Sequence, residues 1–221
     1  MALGRVRLSS NDFARVHRVL SKGGQTFNLG GRYTIEEHMR HVCTFASNLE
    51  SLIQKAPRKS KVVDLGAGSG ILGFVCALAF PCTQWVLLDN RARSCEFLES
   101  CVAELDLCGQ VDVLHCRAEV AGRDELHRHA YDGVVARRFS GGPAITAECA
   151  APLLKQGGFL LVSDPDSAVS DPSSRWPRQG LSRLGLEVEA HRAHASVLRA
   201  RRRCEEAYPR RARLKRGLWR E

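Results

Sequence analysis

The sequence predicts an α/β, Rossmann-like fold: a seven-stranded, mostly parallel sheet with an antiparallel last strand and helices at the N-terminal end of the chain. Three observations predict it. From Lys61 onward short β-rich runs alternate with amphipathic stretches, a glycine-rich turn follows the first run, and the last two runs close the sheet edge as an antiparallel pair.

The N-terminal segment has helical periodicity at Phe13, Val16, Val19 and Leu20, and "SKGGQTFNLGGRY" then reads as a loop. A second helix is predicted from Thr34, which forms a capping box with Glu37, and Ile35, Met39, Val42, Phe45, Ala46, Leu49 and Leu52 continue its apolar stripe. The β-rich runs are Val62 to Leu65, Trp85 to Leu88, Val111 to Leu114, Tyr131 to Ala136 and Phe159 to Val162, with connections long enough for crossovers. "CEFLESCVAELDL" is the clearest helix between them. After a Pro- and Ser-rich loop come a short helix at about Pro177 to Leu184 and the closing pair, Leu186 to Ala190 and Ser196 to Arg202. We expect residues 1–58 to form a helical segment packed on a core of residues 59–221 with a basic C-terminal end, in one domain.

Composition narrows the function. The longest apolar run, Ile71 to Phe80, is too short for a bilayer span, and arginines interrupt any signal core, so a cytoplasmic protein with no membrane partner is expected. Most of the nine cysteines, which include no C-x-x-C, read as small core residues. His38 and His41 share a helix face but lack a third ligand of suitable spacing, so no metal is expected. Of the net charge of +9, the segment Arg192 to Glu221 carries +8, with 11 Lys and Arg against 3 acids. Such a stripe fits either a phosphate-rich partner or a solvated tail.

The ligand is read from "KVVDLGAGSGILG", residues 61–73. Gly68, Gly70 and Gly73 spell a dinucleotide pattern, whereas Asp64, Gly66, Gly68 and Gly70 spell D-x-G-x-G-x-G. A dinucleotide loop needs its first glycine directly after the strand, and counting from Gly68 strands Gly66 and Ala67. The other register begins at Gly66. It puts the Asp64 carboxylate at the strand tip, where it would repel a pyrophosphate but suits the ammonium and sulfonium of S-adenosylmethionine. Asp89, ending the second strand, is placed to accept hydrogen bonds from a ribose diol. Gly73 is then a helix residue kept small for packing on the strand.

"VVDLGAGSGILG", "VLLDNRARSCEFLE", "CRAE" (116–119), "VVARRFS" (134–140), "APLLKQGGFLLVS" and the terminal "YPRR" together resemble the bacterial small-subunit rRNA methyltransferase G family, also called glucose-inhibited division protein B, over about residues 28–216. The resemblance implies the class I S-adenosylmethionine-dependent methyltransferase fold. It also implies cofactor binding at Gly66, Ile71, Ala118, Glu119 and Arg137, which join Asp64, Gly68, Gly70 and Asp89. The implied reaction is methylation of N7 of a guanine in 16S rRNA, on RNA or on the 30S subunit. That atom carries a lone pair and no proton, so no catalytic base is expected. The chain departs from the family at Leu72, where a Pro is usual, and in the N-terminal "N-L-T" element, of which only Asn28 and Leu29 remain; it looks most like a divergent, actinobacterial-type branch. RNA contacts are expected from Arg210, Arg211, Arg213, Lys215 and Arg216, and a monomer is expected. The residues leave open a small-molecule methyltransferase, a non-catalytic S-adenosylmethionine- or RNA-binding module, and an oxidoreductase in the other glycine register.

Overall fold

A computed structural model describes residues 6, 8–23, 34–55, 59–164, 172–192, 194–210 and 217–219. Asn28, Leu29, Arg211, Arg213, Lys215 and Arg216 lie outside the described residues.

Helix α1 (Ser10–Lys22) starts where Ser9 accepts a hydrogen bond from the Asp12 amide. Helix α2 (Ile35–Ala46) has the capping box that Thr34 and Glu37 predict, with both reciprocal bonds formed. The sequence predicts one helix as far as Leu52, but the chain turns at Ser47–Leu49 and resumes as a single turn, α3 (Glu50–Ile53). Local polar side chains compete with the helix there: Ser47 Oγ donates to the Cys43 carbonyl, and Asn48 Nδ2 donates to that of Phe45. Leu49 and Leu52 stay buried through the break.

The core unit follows as β1 (Lys61–Leu65), α4 (Ile71–Ala79), β2 (Gln84–Asp89), α5 (Ala92–Glu104), β3 (Val111–His115), α6 (Ala118–Ala121), β4 (Tyr131–Ala136), α7 (Gly142–Ala150) and β5 (Leu154–Ser163). Two short helices, α8 (Pro172–Arg175) and α9 (Arg178–Arg183), then lead to β6 (Leu186–Arg192) and β7 (Ala195–Ala200). The sheet order is β3-β2-β1-β4-β5-β7-β6. Strands β1 to β5 are parallel, and β7 runs antiparallel between β5 and β6, as the closing pair predicts.

Alternation along each strand divides the core into two layers. Val62, Trp85, Leu87, Val135 and Leu161 face one layer, shared with α1, α2, α4 and α5; Val63, Val86, Leu88, Val134 and Leu160 face the other, shared with α7 and α9. The order reverses between β1 and β4, so the crevice for a ligand lies at the carboxyl ends of those two strands. The nine cysteines are all free thiols. Among the described residues no helix is long and apolar enough to cross a membrane.

Candidate functional site at the sheet switch point

The turn after β1 keeps Gly66, Gly68 and Gly70 at φ of +76°, +61° and +76°, a region that only glycine enters cheaply. The Gly66 and Ala67 amides both donate to the Leu88 carbonyl, which ties the turn to β2. Gly70 is the N-cap of α4. Gly73 serves packing instead, since a Cβ there would lie 2.1 Å from Leu87 Cδ2 and the missing side chain lets α4 seat on β2. That packing agrees with a register beginning at Gly66.

Asp64 sits on the α4 side of β1, 2% exposed, and its Oδ2 accepts a hydrogen bond from the Gly73 amide at 3.1 Å. The carboxylate thus satisfies an otherwise orphaned donor in the first turn of α4, a role that the spacing alone does not reveal. Burial pushes the carboxyl up to about 7, against the opposing pull of the Gly73 amide and the Arg137 charge. An unfolded aspartate ionises near 4. The stabilisation from this group is therefore complete below about pH 4 and is lost as pH rises through 7. Asp64→Asn keeps an oxygen for Gly73 but no charge. Its melting temperature should exceed that of the wild type above pH 7, by roughly 5 °C or more, and fall below that margin towards pH 4. A constant difference in thermal scans from pH 4 to 9 would refute the assigned shift.

Asp89 is 4% exposed and fully engaged. Its Oδ2 accepts from the Gly68 amide at 2.9 Å, its Oδ1 from the Arg91 amide at 3.0 Å, and the Arg91 guanidinium reaches both oxygens at 3.1 and 3.3 Å. Desolvation is the largest single influence and pushes the carboxyl up, but these bonds and the Arg91 charge together outweigh it and hold the group below its ordinary value. The acceptor pair predicted for a diol is thus covered by Arg91, which no sequence pattern singles out.

Beside Asp89 the end of β3 turns into α6. Ala118 is buried at its start, and the Glu119 carboxylate is paired with Arg117. After β4 comes "RRFSGG", with Arg138 at φ +59° and Gly141 and Gly142 at +101° and +77°. This left-handed cluster turns Phe139 back over the glycine turn: a Cβ on Gly66 would lie 2.7 Å from Phe139 Cδ2.

Two cavities meet here. One of about 440 Å³ is lined by Gly66, Asp89, Arg91, Ala118, Glu119 and Phe139, among others. The second, about 630 Å³, is lined by Phe45, Arg137, Arg138, Phe139, Asp164 and Arg175, among others, and also by His41. Arg138 and Phe139 belong to both. A larger cavity of about 860 Å³ lies against β6, beside Trp176 and Val188, and includes none of the predicted site residues. Geometry favours the paired cavities as the ligand site, because they open at the switch point.

Gly66, Asp89, Ala118 and Glu119 thus gather in the first cavity and Arg137 in the second. Gly68, Gly70, Ile71 and Asp64 shape the turn from beneath or beside it. Burial, with the Arg137 and Arg138 charges, lowers His38, which places that histidine beside the same loop. Among the described residues no cluster of His, Cys, Asp or Glu is arranged to hold a metal. Sequence reasoning misses Phe139 and Asp164. The only sequence signal for Phe139 is its nearness to Arg137, and Asp164 has none.

The residues fit S-adenosylmethionine: Asp89 can accept from a diol if the Arg91 side chain gives way, Leu88, Ala118 and Ile145 give an apolar wall for a purine, and the glycine turn exposes backbone.

Arg210 is the predicted RNA residue whose place is described. Its amide and Nε donate to Glu148 Oε1 at 2.9 and 2.8 Å, and its Nη2 donates to Oε2 at 2.7 Å; Glu148 is fully buried. Within the basic segment Arg199, Arg201 and Arg202 likewise pair with Glu189, Glu187 and Glu205. Part of the charge that suggests a phosphate footprint is therefore structural.

Comparison with known proteins places this arrangement. Ribosomal RNA small subunit methyltransferase G of Desulfitobacterium hafniense is 30% identical over 162 residues, 69% of this chain and 66% of that one. The protein of the same name from Prochlorococcus marinus is 36% identical over 114 residues, 52% of this chain and 46% of that one. The chain thus spans about half to two thirds of the length of these curated relatives. The crystal structure of Aeropyrum pernix fibrillarin with natively bound S-adenosyl-L-methionine superposes with a TM-score of 0.51 at 18% identity, over 69% of this chain and 74% of that one, a likeness of fold. A family model for rRNA small subunit methyltransferase G matches residues 9–168. With the class I methyltransferase fold and the glycine turn in place, the chain belongs to the rRNA small subunit methyltransferase G family.

Proposed function

We propose that this protein is an S-adenosylmethionine-dependent methyltransferase that methylates N7 of a guanine in 16S rRNA. The observation that carries the reading is the meeting of the two cavities at Arg138 and Phe139, one suited to a nucleoside and one with a basic rim. Bound there, S-adenosylmethionine supplies an activated methyl group. The chain's residues bind and orient. Asp89 exchanges its bonds to the Arg91 side chain for the ribose diol, Ala118 and Glu119 border the purine, and Asp64 supports the turn beneath Gly66 and offers negative charge to a cationic ligand. Guanine N7 brings its own lone pair and releases no proton, so positioning replaces a general base.

RNA approaches over the arginine-bearing rim of the second cavity, and Arg211, Arg213, Lys215 and Arg216 add phosphate contacts. Arg210 serves as the anchor of that basic run. The protein acts as a monomer in the cytoplasm, on 16S rRNA alone or within the 30S subunit.

The test is transfer of a labelled methyl group from S-adenosylmethionine to 16S rRNA, naked and in 30S particles, with the product located by cleavage at 7-methylguanine. Label at one guanine supports the reading. Transfer only to a metabolite extract, or tight NAD binding without S-adenosylmethionine binding, would overturn it.

A further inference from the structure

The second cavity holds one carboxylate among several cations. Asp164, at the end of β5, is the only acid among its described lining residues, which include Arg137, Arg138 and Arg175. In a cleft meant for a polyanion an acid is a cost, since each phosphate that approaches is repelled by it. It offsets that cost only if it meets a group that donates hydrogen bonds.

Among the described residues its surroundings leave it unfilled. An ionised carboxylate has about four acceptor positions. The Ser196 hydroxyl lies 2.9 and 3.0 Å from the two oxygens, but one hydroxyl hydrogen cannot serve both. Arg175 Nε stands 3.4 Å from Oδ1, long for a charge-assisted bond, and that nitrogen makes no hydrogen bond. Ser196, 1% exposed on β7, and the bond from the Asp164 amide to the His194 carbonyl at 2.9 Å hold the residue from behind. The carboxylate is oriented without being saturated.

Guanine supplies the missing partner. When its N7 and O6 edge faces the methyl donor, the opposite edge presents the N1 hydrogen and the exocyclic amine, two parallel donors that a carboxylate can accept together. Adenine presents an unprotonated N1 there and would meet the carboxylate lone pair to lone pair. Phe139, partly exposed in the same cleft, offers an aromatic surface beside the flat base. We propose that Asp164 is the specificity-determining residue that selects guanine, by accepting hydrogen bonds from N1 and the exocyclic amine, with Ser196 as its positioning residue. This rests on the rRNA methyltransferase reading and adds to it the atoms that choose the base.

The test compares 16S rRNA carrying guanosine at the methylated position with the same RNA carrying inosine, which keeps N7, O6 and the N1 hydrogen but lacks the amine. For the wild type, kcat/KM should fall roughly tenfold or more on inosine. In Asp164→Ala the guanosine rate should drop and the ratio of the two rates should approach one. Transfer by the wild type at equal rates to both RNAs overturns the proposal without any variant. An unchanged ratio in Asp164→Ala, with both rates lowered alike, reduces Asp164 to a structural tie to β7. Absence of transfer to either RNA, with S-adenosylmethionine bound, defeats the rRNA reading itself and this inference with it.

Discussion

Arg210→Ala is expected to destabilise the fold by about 3 kcal/mol, because it leaves the Glu148 carboxylate in the core without its cation. Glu148 is 0% exposed, and three hydrogen bonds from one residue satisfy it. Two of them vanish with the guanidinium, and the backbone bond cannot compensate a full charge. The cost falls at the lower end for a broken buried pair because the arginine side chain is itself 41% exposed and partly hydrated. A fall in melting temperature of roughly 6–12 °C follows for a chain of this size. Glu148→Gln in the same background removes the stranded charge and should recover much of the loss. RNA binding gives the second readout: its salt dependence should keep its slope in Arg210→Ala, whereas neutralising Arg211 and Arg213 should flatten it by about 0.7–0.9 log unit for each lost phosphate contact. A flattened slope with undiminished stability in Arg210→Ala would return that residue to the RNA surface.

Gly70→Ala should cost about 3 kcal/mol and weaken S-adenosylmethionine binding by about tenfold or more. Two penalties add. The residue sits at φ +76°, where an L side chain is strained by about 1–2 kcal/mol. Its Cβ would also stand 2.4 Å from Leu98 Cδ2 and 2.5 Å from Phe74 Cε2, so the packing of α4 against α5 must open. As Gly70 caps α4, the strain passes directly into the turn that carries Gly66 and Gly68. Gly68→Ala is the control: its φ is +61°, but the nearest atom to an added Cβ is Arg91 Nη2 at 3.6 Å. Only the backbone penalty of about 1 kcal/mol should appear there. Equal losses in the two variants, measured by denaturant unfolding and calorimetric titration, would show that packing beneath the turn does not matter.

These expectations separate what the chain shows locally from what it shows only when folded. The alternation of β1 puts Asp64 on one face and the β-rich runs give the sheet, because a strand's period of two and a glycine at positive φ are properties of neighbouring residues. The break at Ser47 is less legible. The apolar stripe runs on unbroken while side-chain hydrogen bonds to the backbone interrupt the helix. Asp64 is legible as a ligand residue, yet its bond to Gly73 depends on how closely α4 seats on β2.

By itself the sequence determined the fold class, the register of the glycine turn and the acids at the ends of β1 and β2. Local spacing dictates the turn and the two acids, and the repetition of local patterns along the chain dictates the fold class. Only the tertiary structure decided that Arg210 is bound to Glu148, 62 residues away, that Phe139 lies over Gly66, and that Ser196 on β7 orients Asp164 at the end of β5. Each of those contacts joins side chains from distant elements, and their partners are chosen by the packing of helices and strands, which no local pattern of residue types records.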